Sequence, residues 1–206
     1  MEHSNYGDFK ILNQEFIDNI KFNQDFYIAV AAIVFHLVNS NLTAIIERKT
    51  RFFTNKLGVN AIYYYAVYLI SSALIRDYLI YRAIQSDTLN LHYPNSPMAI
   101  VIFVTGLGLN LWVLRILGIK GMFNGDSFGY LLDAPVKTGP YRFLTDPQYV
   151  GTTMCVQAAA ILYNSFSGFI LSIIMYITFV ISVELIEKPY MNWVYDKKVS
   201  DSKKKK

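Results

Sequence analysis

The chain has 206 residues, 53% of them hydrophobic and 16% aromatic, with a mean hydropathy of +0.28. A soluble domain of this size cannot hide so much apolar surface, so the composition describes a protein that crosses a membrane several times. The formal charge of +4 does not point to nucleic acid, because seven of the 19 basic residues lie between Lys188 and Lys206.

In chain order, residues 1–25 read as a polar, acidic arm in which Phe9, Leu12, Phe16 and Ile20 fall at helical spacing. The arm is too acidic for a cleaved signal peptide. The first apolar run, Phe26 to Ile46, is broken by His36 and by Asn39-Ser40-Asn41. It reads either as a span or as a re-entrant or in-plane helix. A basic connector at 47–56, ERKTRFFTNK, leads to a second run, Asn60 to Ile80. Tyr63, Tyr64, Tyr65 and Tyr68 sit at one end of it, where an interfacial aromatic belt belongs. Arg76 and Asp77 lie near the other end, where adjacent opposite charges either snorkel or mark a functional pocket. Residues 81–97 are a turn-rich connector, and Met98 to Leu117 is the third span, with Gly106-Leu107-Gly108 inside it. Tyr149 to Tyr163 is apolar but short, Asn164 to Gly168 is a turn signal, and Phe169 to Ile186 is the last span.

The expected fold is therefore all-α: a polytopic membrane protein of about four to five membrane-embedded helices with a C-terminal helical hairpin. One membrane domain occupies 26–198 and a basic tail 199–206. The basic connector and tail place both of these, and the loop between the third span and the hairpin, in the cytosol. Lys203 and Lys204 stand third and fourth from the end, as in a dilysine retrieval signal of endoplasmic reticulum membrane proteins. A merely solvated basic tail accounts for them equally well.

The loop from Gly118 to Gly151 is the longest polar stretch in the second half and the most suggestive of function. Its glycines and its three prolines, Pro135, Pro140 and Pro147, stop any helix from running through. Asp126, Asp133, Lys137, Arg142, Asp146, Tyr141 and Tyr149 crowd among them, which suits a working loop better than a spacer. The single cysteine, Cys155, and three scattered histidines supply no metal site.

Leu117-Gly118, Gly121, Gly125-Asp126 and Phe128-Gly129 resemble the LGxxGxxxGDxFG signature of small eukaryotic phospholipid N-methyltransferases. Residues 136–151, VKTGPYRFLTDPQYVG, resemble an element shared by those enzymes and by isoprenylcysteine carboxyl methyltransferases, and Arg76-Asp77 resembles an RD element of the second span. The likeness covers roughly residues 60–198. It implies N-methylation of phosphatidylethanolamine or its mono- and dimethyl forms, with S-adenosylmethionine as methyl donor, a membrane phospholipid as substrate, no metal and no nucleic acid. In that family a GxG in the third span and a Glu-Glu after the last span are held to bind the donor. Here Gly106-Leu107-Gly108 matches the first, about two residues closer to Gly125 than the pattern expects. Glu187-Lys188 stands for the second, with Lys188 replacing one carboxylate and Glu184, a helical turn earlier, placed to compensate.

The resemblance thus assigns the donor to Gly106, Leu107, Gly108, Tyr141, Pro147, Tyr149, Glu187 and Lys188, on the cytosolic side. Arg76, Asp77, Arg142 and Tyr190 fall to the lipid, guanidinium being suited to its phosphate. Methyl transfer to an amine is a displacement that requires a neutral nucleophile, so a carboxylate must take a proton; Asp126, Glu184 and Glu187 are the catalytic candidates. Two other readings fit the same residues: an isoprenylcysteine carboxyl methyltransferase-like enzyme, and a non-catalytic membrane scaffold whose glycines pack helices.

Overall fold

The computed structural model describes residues 22–88 and 97–204, so the helix expected around Phe9 to Ile20 lies outside the described residues. α1 (Gln24–Thr50) is one unbroken helix of 27 residues, about 40 Å long at 1.5 Å per residue. The first apolar run is therefore long and apolar enough to cross about 30 Å of hydrocarbon, with no break in the helix at which it could turn back. Its polar interruptions do not break it because each finds a partner on a neighbouring helix. His36 Nδ1 pairs with Ser72 Oγ at 2.9 Å, and Asn41 Nδ2 donates to Ser182 Oγ at 2.7 Å. Thr43 Oγ1 pairs with Tyr65 OH at 2.9 Å. With no water at membrane depth, such pairs leave the backbone helix undisturbed.

α1 ends at Arg51, whose left-handed φ of 54° turns the chain into the short α2 (Phe52–Leu57) and then α3 (Ala61–Gln85). α3 returns antiparallel to α1. Asp25 and Arg82 form an ion pair at 2.9 Å, and Asn23 Nδ2 donates to the Ser86 carbonyl at 2.8 Å. α4 (Pro97–Met122) is broken at Gly118, where φ 64° and ψ 179° lie in a region open in practice only to glycine. α5 (Pro147–Leu162) and α6 (Phe166–Ser182) form the expected hairpin, and no strand occurs among the described residues. Four helical stretches are long and apolar enough to cross a membrane: Gln24–Thr50, Phe52–Gln85, Pro97–Phe128 and Phe166–Lys198. α5, at 16 residues or about 24 Å, is not.

α1, α3 and α6 pack around Ile33, Ile80, Ala83, Leu171 and Met175, all nearly inaccessible. The hairpin turn is tied to the end of α3, where Asp87 accepts from Ser165 Oγ and from the Ser167 amide, each at 2.7 Å. The opposite end gathers a second set of polar contacts. Arg51 Nη1 donates to the Ser127 carbonyl at 3.1 Å, Tyr130 OH to the Val59 carbonyl at 3.2 Å, and Lys198 Nζ to the Leu132 carbonyl at 3.1 Å. The basic connector, the loop after α4 and the C-terminal segment thus share one end of the bundle. That segment is not a loose tail: α7 (Lys188–Lys204) continues the axis of α6 through a π-turn at Val183–Glu187, whose mark is the Lys188 amide donating to the Val183 carbonyl.

Candidate active site

The π-turn decides where the carboxylates go. It winds more slowly than an α-helix, so residues three apart part company instead of sharing a face. Glu187 turns into the bundle, where its Oε1 accepts from Tyr149 OH at 2.7 Å and from Ser182 Oγ at 2.9 Å. Asn41 holds Ser182 in turn, and the Tyr149 ring is stacked on Phe179 with centroids 4.4 Å apart. Three helices, α1, α5 and α6, therefore fix one carboxylate. Its second oxygen, Oε2, has no hydrogen-bond partner among the described residues and belongs to a side chain lining a cavity. Glu184 instead points outward, half exposed, and pairs with Lys188 at 2.9 Å. The structure brings neither residue of that pair to the cavity.

That cavity, about 170 Å³, lies at the polar end and is walled by α1, the end of α4, the loop, α5 and the start of α7. Asp126, Tyr141, Asp146, Tyr149, Glu187 and Tyr190 line it, as do Asn41, Arg48 and Gln148. Asp126 is placed by the 3₁₀ turn Gly125–Phe128, and Tyr141 by the turn Gly139–Arg142. Burial, and then the charge of Glu184, raises the Asp146 carboxyl above its ordinary range. Burial and Asp146 together push the Tyr141 phenol up to about 12, so it is neutral at physiological pH. Pro147 is fully buried at the first turn of α5 and sets that helix without lining the cavity.

A second cavity, about 310 Å³, adjoins the first at membrane depth. The two share Met122, Asn124, Gln148 and Tyr149 as common wall. Arg76 lines it and is only 4% exposed; its Nε and Nη2 donate to Asp77 Oδ1 at 2.9 and 2.8 Å. Nη1 makes no hydrogen bond among the described residues. Together the chambers fall within the roughly 300–1,000 Å³ usual for small-molecule sites.

The remaining expected residues lie elsewhere. Arg142 is exposed beside Phe143, outside both chambers. Gly106 serves the crossing of α4 with α5: a Cβ there would come 2.6 Å from the Gly151 carbonyl oxygen, and the reverse holds for Gly151. Leu107 is exposed and Gly108 faces open space, so neither lines the two chambers. No group of three or more His, Cys, Asp or Glu that could hold a metal occurs among the described residues.

Arg48, Asn41 and Ser182 are the lining or supporting residues that the sequence alone did not mark. Asn41 and Ser182 are polar side chains inside apolar runs, and that oddity is the signal that marks them.

The family model described as phospholipid methyltransferase matches residues 95–198. Phosphatidylethanolamine N-methyltransferase B of Dictyostelium discoideum is 49% identical over 177 residues, which cover 84% of this chain and 88% of that protein. The chain belongs to the phospholipid methyltransferase family. Phosphatidyl-N-methylethanolamine N-methyltransferase of Neurospora crassa is 31% identical over 83% of this chain and 82% of its own length. The human phosphatidylethanolamine N-methyltransferase is 29% identical over 87% and 92%. No solved structure matches. The chain is thus a methyltransferase embedded in a membrane, and the isoprenylcysteine and scaffold readings give way to the family. The site it offers is two adjoining chambers with a common wall, one at the polar end and one among the apolar helices.

Proposed function

We propose that this enzyme transfers methyl groups from S-adenosylmethionine to the amine of phosphatidylethanolamine and its mono- and dimethyl forms, leading to phosphatidylcholine. The observation that carries the reading is Glu187, fixed on one carboxylate oxygen and open on the other in the polar chamber, and bonded to Tyr149 of the wall the two chambers share. The names of the relatives support the substrate class.

The donor set of the polar chamber fits S-adenosylmethionine, which supplies an electrophilic methyl on a sulfonium. Asp126, Asp146 and Glu187 match its cationic groups, and Glu187 Oε2 is free to accept from an ammonium or a ribose hydroxyl. The ring of Tyr141 suits a sulfonium or a methylated ammonium, a contact worth about 0.5–2 kcal/mol. Arg76, anchored by Asp77, is placed to hold the lipid phosphate in the membrane-level chamber through Nη1. Tyr149, on the shared wall, then sits where amine and methyl meet. Asp126 or Glu187 accepts the proton that the ammonium must shed before it attacks. Holding the two in line contributes up to about 7–11 kcal/mol through proximity.

Residues 26–198 act as one membrane unit, in the endoplasmic reticulum, with the polar end and C-terminus cytosolic as the basic clusters favour. The test is methyl transfer from labelled S-adenosylmethionine in membranes containing the protein, with each of the three lipids offered separately. Label in phospholipid that Glu187→Gln abolishes supports the reading; folded protein that labels none of the three sinks it.

A further inference from the structure

The polar chamber holds one cation, and the proposed function leaves it without a task. Arg48, in the last turn of α1, lines the chamber with its guanidinium carbon 3.7 Å from the centroid of the Tyr190 ring. Its Nε donates to the Ala44 carbonyl at 3.3 Å. Among the described residues it forms no ion pair, although Asp126, Asp146 and Glu187 line the same chamber. Stacking on Tyr190 covers one face of the guanidinium and leaves its in-plane N–H groups available at the edge. A half-buried arginine held off three nearby carboxylates is poised for an anion that the protein does not supply. The ligand that matches three carboxylates and one fixed cation is itself mostly cationic, with a single anionic group.

We propose that Arg48 is a binding residue for the α-carboxylate of the methyl donor, with Tyr190 as the platform that aims it. This rests on the reading of the chamber as the donor site. The lipid phosphate is the competing anion. It belongs with Arg76, because Arg76 lines the membrane-level chamber and Arg48 only the polar one, with the shared wall at Tyr149 between them.

The experiment uses the full-length protein in nanodiscs and measures binding of S-adenosylhomocysteine and of its decarboxylated analogue by calorimetry. The lipid KM is measured alongside. Wild type should bind the carboxylated ligand at least about 30-fold more tightly, the lower end for removing one partner of a desolvated charge pair. Arg48→Gln should bring the two affinities to within about threefold of each other by weakening only the carboxylated ligand, with the lipid KM unchanged. Arg48→Lys, which keeps the charge but loses the fork, should retain part of the preference and guards against a misfolded glutamine variant. Equal weakening of both ligands in both variants would make Arg48 a structural residue and overturn the proposal. A raised lipid KM with the ligand preference intact would overturn it in favour of the phosphate. Wild-type protein that binds neither ligand would overturn the donor reading itself, a failure distinct from that of Arg48.

Discussion

Glu184 and Glu187 are the same residue type three positions apart, yet one pairs with Lys188 at the surface and the other is held by Tyr149 and Ser182. Function should follow that difference. Glu187→Gln is expected to lower kcat/KM at least about a hundredfold, as loss of a charged group fixed against a reacting centre does. Glu184→Gln should stay within about threefold of wild type, as removal of an exposed helical ion pair does. Comparable losses in both would mean that the π-turn does not separate their roles. Asp146 carries a pH signature. Burial and then Glu184 raise its folded-state value, so folding favours the protonated form. Relative to the unfolded chain, stability is therefore undiminished below the ordinary carboxylate value of about 3.9 and declines as pH rises through the folded value. Asp146→Asn removes that decline. The variant should melt above wild type at neutral pH, and the difference should vanish toward about pH 4 in a detergent melting series. A difference independent of pH would contradict the shift. Tyr141, neutral throughout at about 12, should add no limb to the pH–rate profile, so Tyr141→Phe should leave its shape alone.

At the scale of helices, the spans were legible because membrane helices must satisfy their backbones internally and announce themselves by length. The hairpin was legible too, from the turn-formers between Asn164 and Gly168. What could not be read was the winding of 183–187, since nothing in VELIE distinguishes a π-turn from one more α-turn. α-Helical spacing therefore put Glu184 beside Glu187, and the structure parts them. The glycines of α4 teach a related lesson, because small residues serve close helix contact as readily as a ligand. Gly106 and Gly151 meet backbone to backbone, whereas Gly108 has nothing within 4 Å. Gly106→Ala should lower the melting temperature, as overpacking by about 1–3 kcal/mol would. Gly108→Ala, the same chemical change, should leave the melting temperature unchanged or raise it. If Gly108 nonetheless lies against the donor, a bulkier Gly108→Leu weakens S-adenosylhomocysteine binding in protein that still melts normally.

Across the whole molecule, the proposed function gives each of the two chambers a substrate of different solubility. Neither was visible in the sequence as a space, because their walls come from six helices, α1 and α3 to α7, and the loop after α4, which only tertiary packing brings together. Arg76 and Asp77 were legible as odd charges in an apolar run; that they open onto Tyr149 was not. α3 and α4 touch sparsely, and Ile70 and Leu74 line the membrane-level chamber while remaining 43% and 64% exposed. On the proposed function, the lipid would enter between those helices. Ala73→Trp, which fills that chamber from α3, should raise the KM for phosphatidylethanolamine at least about tenfold while leaving S-adenosylhomocysteine binding within about twofold, since only one compartment is obstructed. Donor binding lost in parallel would show that the chambers are not separable.

The π-turn also sets a phase. α6 and α7 are one screw, and the slower winding between them determines which side of α7 faces the bundle. Leu185, 72% exposed, can be removed without unpacking any core side chain. A π-turn fits one residue more than an α-helix into nearly the same rotation, so deleting Leu185 would let the thread close as ordinary α-helix and leave everything beyond in nearly its present phase. Tyr190 would stay under Arg48 and Lys198 beside Leu132, whereas straightening the turn at full length would rotate both by about 100°, one residue's worth of a 3.6-residue turn. A protein shortened by that one exposed leucine would fold, insert and keep its chamber.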